Sequence, residues 1–192
     1  VEDIQIWTDV DGIMTTDPRM VKEARRIRSI SFDEAAELSY FGAKVLHPAT
    51  IVPAVRKNIP VHVLNSHKPD HEGTTITEKA PPCANPVKAI AFKGGITVVN
   101  VTSTRMLMAY GFLRKIFEIF EHYKVSVDVV STSEVSVSLT VDDTSTLWDI
   151  VADLKKIGEV NVEGSKSIVC CVGESLRVIP GVPNVVFGTL QN

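Results

Sequence analysis

An apolar, strand-like run from Ile4 to Trp7 breaks abruptly into a polar loop, Thr8-Asp9-Val10-Asp11-Gly12-Ile13-Met14-Thr15-Thr16-Asp17-Pro18-Arg19, and a charged stretch follows. A strand that ends in a polar, glycine-containing turn before a helical stretch is the grammar of an open α/β sheet. Such sheets hold their ligands at the carboxyl ends of the strands. Thr8 and Asp9 offer hydroxyl and carboxylate oxygens suited to a sugar, a base or a metal, and Arg19 a fixed planar donor array suited to phosphate. The same residues also read as a capped loop, with Thr16 or Asp17 starting the next helix and Pro18 at its first position.

Further along, Ser31 followed by Glu34 fits a capping box and predicts a helix over Phe32 to Phe41, stopped at Gly42. A second helix is expected over Pro48 to Lys57, ended by Asn58 and Pro60, and a short strand over Val61 to Leu64. Lys22, Arg25, Arg26 and Arg28 read as a solvated basic face. His62, His67 and His71, with Asp70 beside the last, invite a metal-site reading. The stretch runs from a strand into a polar loop, unlike the helical i,i+4 pair of a zinc protease, and no metal site is assigned. His47 before Pro48 reads as a helix-start or core histidine. Asn65 to Pro86 carries Pro69, Gly73, Pro81, Pro82 and Pro86 among polar residues, which marks a loop and the domain boundary.

Beyond that boundary the pattern changes. Lys88 to Thr102 reads as a strand and Phe112 to Tyr123 as an amphipathic helix with Phe112, Leu113, Ile116, Phe117 and Phe120 on one side. Strands are expected over Val125 to Val130 and Val135 to Val141, the latter alternating Val and Ser. A helix over Thr146 to Ile157 and a strand over Val160 to Val162 complete a βαββαβ order, the ferredoxin-like arrangement. Ser167 to Val172 and a helix over Pro183 to Leu190 read as the start of a second unit of the same type. The strand edge left open by an incomplete unit would tend to pair with another chain.

With 192 residues there is room for one large domain or two small ones, and 44% hydrophobic with 22% charged residues is ordinary for a globular protein. A net charge of -3 leaves no footprint for nucleic acid or an anionic membrane. No apolar run approaches the roughly 20 residues that span a bilayer. The start Val1-Glu2-Asp3 lacks a signal-peptide pattern. Cys83, Cys170 and Cys171 are odd in number, and the adjacent pair lies in an apolar strand-like run. They read as core cysteines of a reducing compartment. The chain opens without methionine inside an apparent strand and closes just after a helical stretch, so both ends read as cut from something longer.

WTDVDGIMTTDPR at Trp7 to Arg19, followed by FGAKVLHP at Phe41 to Pro48, resembles the C-terminal half of an aspartate kinase catalytic domain. SVDVVSTSEVSVSLT at Ser126 to Thr140 resembles the effector-binding ACT region of the same enzymes, of the lysine-sensitive type. The resemblance covers nearly the whole chain. It implies the C-terminal part of an amino-acid-kinase α/β domain over 1–78, a linker over 79–87, and ferredoxin-like ACT modules over 88–192. The first module would occupy about 88–164, and an incomplete second one 165–192.

The resemblance further implies an activity: transfer of the ATP γ-phosphoryl group to the β-carboxylate of L-aspartate, with magnesium, giving 4-phospho-L-aspartate. Feedback inhibition by lysine, with threonine as the other candidate, would act through the ACT modules. Matching positions assign Thr8, Asp9, Met14, Arg19 and Lys44 to the nucleotide, Met14 standing where many relatives have tyrosine. They assign Met106, Ala109, Phe112, Leu113, Ser126, Val127, Asp128, Thr132, Ser133 and Glu134 to the effector, Ala109 replacing a serine seen in some relatives. In an ACT module Asp128 would meet an ammonium group, the hydroxyls of Ser126, Thr132 and Ser133 would donate, and the backbone around Gly111 would receive a carboxylate. Glu134 adds a second anion suited to a cationic ligand such as lysine.

The family's glycine-rich KFGGTS-type stretch and its aspartate-holding residues would precede Val1. No catalytic residue is therefore assigned, and these residues alone are expected to be inactive. A homodimer or tetramer formed through ACT modules, in the cytoplasm or a plastid, is the implied setting. The alternative is a non-catalytic ACT regulatory subunit that senses an amino acid for a partner kinase. A bare ACT module would not need Thr8, Asp9, Arg19 or Lys44.

Overall fold

The computed structural model describes residues 1–41, 48–81, 85–106, 110–174, 176 and 179–191, with the side chains of 48–51 left aside. Lys44, Gly42, His47, Cys83 and Ala109 therefore lie outside the described residues. The chain divides into two compact units, one formed by Val1–Phe92 with Val169–Asn192 and the other by Lys93–Ile168. The division falls at Phe92 and Ile168.

In the first unit, β1 (Ile4–Thr8), β2 (Ser29–Ser31), β3 (Val61–Asn65) and β4 (Thr74–Thr77) form a sheet in the order β1-β3-β4-β2. β1 runs parallel to β3, β2 parallel to β4, and β3 antiparallel to β4. The β1–β3 register sets Thr8 opposite Asn65, so both strands deliver polar residues at the same end of the sheet. β4 lies within the stretch read from sequence as loop and boundary. Its Thr-Thr-Ile-Thr buries alternate residues, with Thr74 and Ile76 fully inaccessible, but four residues between Gly73 and a proline cluster are too short for the period to stand out.

Two helices, α1 (Phe32–Tyr40) and α2 (Pro48–Lys57), accompany this sheet. α1 starts as its sequence predicts. The Ser31 hydroxyl accepts the Glu34 N–H at 3.2 Å and the Glu34 carboxylate accepts the Ser31 N–H at 2.9 Å, satisfying two donors that a helix start leaves open. Ile13, Ile30, Phe32, Ala35, Leu38, Val61, Val63 and Ile76 form the core, joined by Ala89, Ala91 and Val172. Cys170 packs against it, and burial, followed by the nearby Glu37 and Cys171, pushes its thiol pKa up.

The second unit contains β5 (Ala89–Thr102), which begins in the first, then α3 (Phe112–His122), β6 (Val130–Thr132), β7 (Ser136–Val141), α4 (Leu147–Leu154) and β8 (Glu159–Val172), which ends in the first. The sheet order β6-β7-β5-β8 and the βαββαβ sequence of elements are those of the ferredoxin-like arrangement. β7 alternates as its sequence predicts, burying Val137, Leu139 and Val141 against α3 and α4. Each such side chain contributes roughly 1.5–3 kcal/mol by leaving water.

Four expectations shift in this region. α3 buries only the i,i+4 row Phe112, Ile116 and Phe120, leaving Leu113 and Phe117 40% and 41% exposed, because a second row turns away from the sheet. Residues 125–129 are not ladder strand, and β6 begins only at Val130. α4 is shorter than the stretch read as helical, running from Leu147 to Leu154. The two stretches expected as separate strands near 160 and 170 are one continuous β8, with Ser165 at φ 56 within it. The last helix, α5 (Val182–Leu190), contains no buried residue and exposes Val185, Phe187 and Leu190.

Glu34 and Lys88 form the most buried ion pair among the described residues, at 2.9 Å with side chains 5% and 7% exposed. Burial alone would raise the Glu34 pKa. The Ser31 N–H and the Lys88 ammonium outweigh it and hold the carboxyl below its ordinary 4.5. A carboxyl depressed in the folded state stabilises fully above its unfolded pKa, and that stability is lost as pH falls through the folded value. Lys88→Met, which strands a buried carboxylate, is expected to cost about 3–5 kcal/mol at pH 7. In denaturant titrations the gap to wild type should narrow as pH falls below 4.5.

Candidate functional site

Residues 8–19 leave the end of β1 and line a cavity of about 850 Å³ within the first unit. Thr8, Asp9, Met14 and Arg19, four of the five residues assigned to the nucleotide, all lie in its wall, and Lys44 is outside the described residues. Leu38, Ile90, Ala91 and Phe92 supply an apolar side. Asn65, His67 and Lys68 come from the end of β3 and the turn after it. The volume falls in the range of small-molecule sites, which pair apolar walls with a few placed polar groups.

The loop is fixed to the sheet through one hydroxyl. Thr74 Oγ1 accepts the Ile13 N–H at 2.9 Å and donates to the Ile27 carbonyl at 2.6 Å, with Thr74 wholly buried. Gly12, at φ +128, makes that approach possible, since a Cβ there would lie 2.5 Å from Thr74 Oγ1. Gly73, at φ +63, is excluded from bearing a side chain by the Val63 carbonyl, 2.1 Å from where its Cβ would stand. Met14 forms an isolated antiparallel bridge with Arg26.

Around the rim, cations and carboxylates are paired. Arg19 donates from Nε to Asp17 at 3.0 Å and from a terminal nitrogen at 2.6 Å, and that hydrogen bonding draws the Asp17 pKa down to about 2. Lys68 Nζ lies 3.0 Å from Asp11, whose other bond comes from Asn65 Nδ2 at 2.6 Å. Lys68 and then Asn65 lower the Asp11 pKa. The Thr8 hydroxyl donates to Asp9 at 3.1 Å, and Ser66 ties its backbone N–H and hydroxyl to the Thr8 carbonyl. The described wall thus carries three carboxylates, Asp9, Asp11 and Asp17, against Arg19 and Lys68. Sequence reading missed Asp11, Asn65 and Lys68, because their contacts join positions 54 and 57 residues apart.

Among the described residues no group of three or more His, Cys, Asp or Glu could hold a metal ion. His62 instead faces Thr75 at 3.2 Å and Asp3 at 3.9 Å, and His71 lies 4.0 Å from Asp11.

In the second unit the positions assigned to the effector fall in three places. Met106 ends a 3-10 turn (Thr104–Met106) that precedes α3, whose cap Gly111 has φ 79 and which opens with Phe112 and Leu113. Phe112 is 8% exposed and belongs to the core. Ser126, Val127 and Asp128 precede β6, and Asp128 is held by Lys93 at 2.9 Å. Thr132 ends β6, and Ser133 and Glu134 form its turn to β7, where the Ser133 and Ser136 hydroxyls meet at 2.7 Å. Ala109 is outside the described residues.

The first unit thus places a ligand-sized cavity at the ends of its strands. Residues 1–65 match the amino acid kinase family. Aspartokinase 3, chloroplastic, of Arabidopsis thaliana is 44% identical over 186 residues, spanning 92% of this chain and 33% of its own. A crystal structure of E. coli aspartokinase III in complex with aspartate and ADP (R-state) superposes with a TM-score of 0.87 at 42% identity, over 99% of this chain and 44% of that one. The same enzyme in complex with lysine and aspartate (T-state) gives 0.81 at 43% identity, over 99% and 44%. The chain belongs to the aspartokinase family. It spans about a third of that Arabidopsis relative and less than half of the E. coli enzyme. No helix among the described residues is long and apolar enough to cross a membrane.

Thr74→Val should cost about 1–3 kcal/mol, the penalty for leaving buried donors and acceptors unmet, and Thr74→Ser should recover most of it. Chemical denaturation reads both.

Proposed function

We propose that this chain is part of an aspartate kinase that transfers the γ-phosphoryl group of ATP to the β-carboxylate of L-aspartate, yielding 4-phospho-L-aspartate, and that lysine inhibits it through the ferredoxin-like unit. The observation that carries this reading is the convergence of Thr8, Asp9, Met14 and Arg19 on one cavity at the ends of β1 and β3. Its support is the likeness to an aspartokinase crystallised with aspartate and ADP. For a regulatory subunit alone, a kinase-type cavity would have no purpose.

Phosphoryl transfer depends chiefly on positioning and charge neutralisation. The apolar side made by Ile90, Ala91, Phe92 and Met14 suits the base. Thr8 and Asp9 offer a hydroxyl and a carboxylate to the ribose. Arg19 is 78% exposed, so its pair with Asp17 is a solvent-screened one that a phosphate can exchange. Lys44 is assigned to the phosphates by its motif alone. Because carboxylates outnumber cations in the described wall, nucleotide phosphates need a further source of positive charge. Magnesium supplies that neutralisation when bound.

For regulation, the effector binds the ferredoxin-like unit better in an inactive arrangement, with a coupling of about 1–3 kcal/mol to the nucleotide site. The T-state aspartokinase bound to lysine supports lysine as that effector. Asp128 receives an ammonium group, and Glu134 adds negative charge nearby in sequence. The exposed edge strand β6 and the apolar α5 favour assembly into a homo-oligomer.

Aspartyl-hydroxamate formation by the full-length protein, with ATP and magnesium across a lysine titration, tests the reading. Activity that falls with lysine supports both halves, and inhibition by threonine alone would reassign the effector. Arg19→Ala should lower kcat/KM for ATP about ten- to hundredfold, the range of a charge-assisted hydrogen bond. Asp128→Ala should relieve lysine inhibition while leaving the KM for ATP nearly unchanged. Loss of both together would mark a folding defect.

A further inference from the structure

Lys93 lies on β5, and its Nζ stands 2.9 Å from Asp128 Oδ2 and 2.9 Å from Asp142 Oδ2. The three side chains differ sharply in exposure: 5% for Asp128, 22% for Lys93 and 49% for Asp142. Burial works against the Lys93 ammonium, but the two carboxylates hold its pKa above the ordinary value. A primary alkylammonium is therefore already seated on the carboxylate assigned to the effector. It is the same chemical group that a free amino acid presents at its α-position and that lysine presents at its side-chain end.

We propose that Lys93 is a tethered stand-in for the effector's ammonium: it occupies Asp128 when no effector is bound and is handed over to Asp142 when one enters. The proposal rests on the reading of Asp128 as an effector residue. One ammonium shared by two carboxylates becomes two ammonium groups with one carboxylate each, effector on Asp128 and Lys93 on Asp142, which neutralises the cluster. Asp142 suits the second role because its carboxylate already reaches Lys93 and, half exposed, remains hydrated throughout. Buried Asp128 is never left unpaired, which avoids the penalty of a stranded buried charge.

The exchange also has a route to the kinase cavity through the chain itself. Lys93 directly follows Ile90, Ala91 and Phe92, which line that cavity, and the Ile90 N–H donates to the Thr15 carbonyl of the loop at 2.8 Å. Lys93 and the cavity's apolar side thus belong to one strand. No residue assigned to either ligand by sequence matching occupies this position.

The test is calorimetric titration of L-lysine into the full-length protein. Lys93→Met removes the internal competitor and should tighten lysine binding about tenfold, equivalent to 1.4 kcal/mol. Asp142→Asn removes the receiving carboxylate and should weaken binding several-fold, and that weakening should shrink in the Lys93→Met background. Unchanged or weaker binding in a folded Lys93→Met protein overturns the proposal and leaves Lys93 a structural ion-pair partner. If the methionine variant does not fold, Lys93→Arg decides. Its planar fork grips both carboxylates, so binding should weaken, and unchanged affinity overturns the proposal. Asp128→Ala with unaltered lysine affinity is a separate failure, that of the effector reading itself.

Discussion

The first unit depends on the hydroxyl of Thr74. It is fully buried, sits on the strand that joins β3 to β2, and bonds at once to the backbones of Ile13 and Ile27. Those two contacts hold the two ends of the 14–26 excursion against the sheet, so the loop that carries Met14, Asp17 and Arg19 has a fixed base. A buried hydroxyl that satisfies one donor and one acceptor is worth more than its individual bonds, because losing it strands two backbone groups in a dry interior. The glycine at position 12 follows from the same contact, since no Cβ fits beside that oxygen. The cavity is therefore a consequence of how the sheet is closed, with its polar wall set by β1 and β3 and its loop set by β4.

β5 has a comparable place in the chain. Its first residues, Ala89 and Ala91, pack in the core of the first unit, and Val99 and Val101 pack in the core of the second. Just before it, Lys88 is buried against Glu34, which also caps α1. A single strand thus passes from the cap of a helix beside the cavity, along the cavity wall, to the ammonium that pairs with Asp128. Ion pairs hold the start of this strand, Lys88 just before it and Lys93 at its fifth residue.

How far the sequence disclosed this follows from the range of the interactions. Ser31 and Glu34 are three residues apart and announce α1, and the Val/Ser alternation announces β7, because local geometry alone decides both. The order of elements in the second unit was legible for the same reason. β4 was not, since its only signal was two buried positions in a stretch crowded with proline and glycine. Thr8, Asp9, Met14 and Arg19 could be placed together by family likeness, and they do share a cavity. Asp11, Asn65 and Lys68 became visible only when β1 and β3 were paired, as register is a tertiary property. Lys93 and Asp128, 35 residues apart, were separated by a whole helix. The α3 stripe was drawn too wide because hydrophobicity marks what a helix can bury, while the facing sheet decides what it does bury.

One electrostatic habit runs through both units. Arg19 is held by Asp17, Lys68 by Asp11, Lys88 by Glu34 and Lys93 by Asp128 and Asp142. Where such a pair is deeply buried, as at Glu34 and Lys88, it is fixed, since parting it would leave a charge in a low-dielectric interior. Where one member reaches solvent, as at Arg19 or Asp142, exchange of partners is inexpensive, because water takes up the charge that is released. Burial of each pair thus separates the structural ones from those a phosphate or an ammonium can open. Where a ligand enters by exchanging such a pair, its affinity is set by the difference between two pairs. A charge that never touches the ligand can then tune it as strongly as one that does.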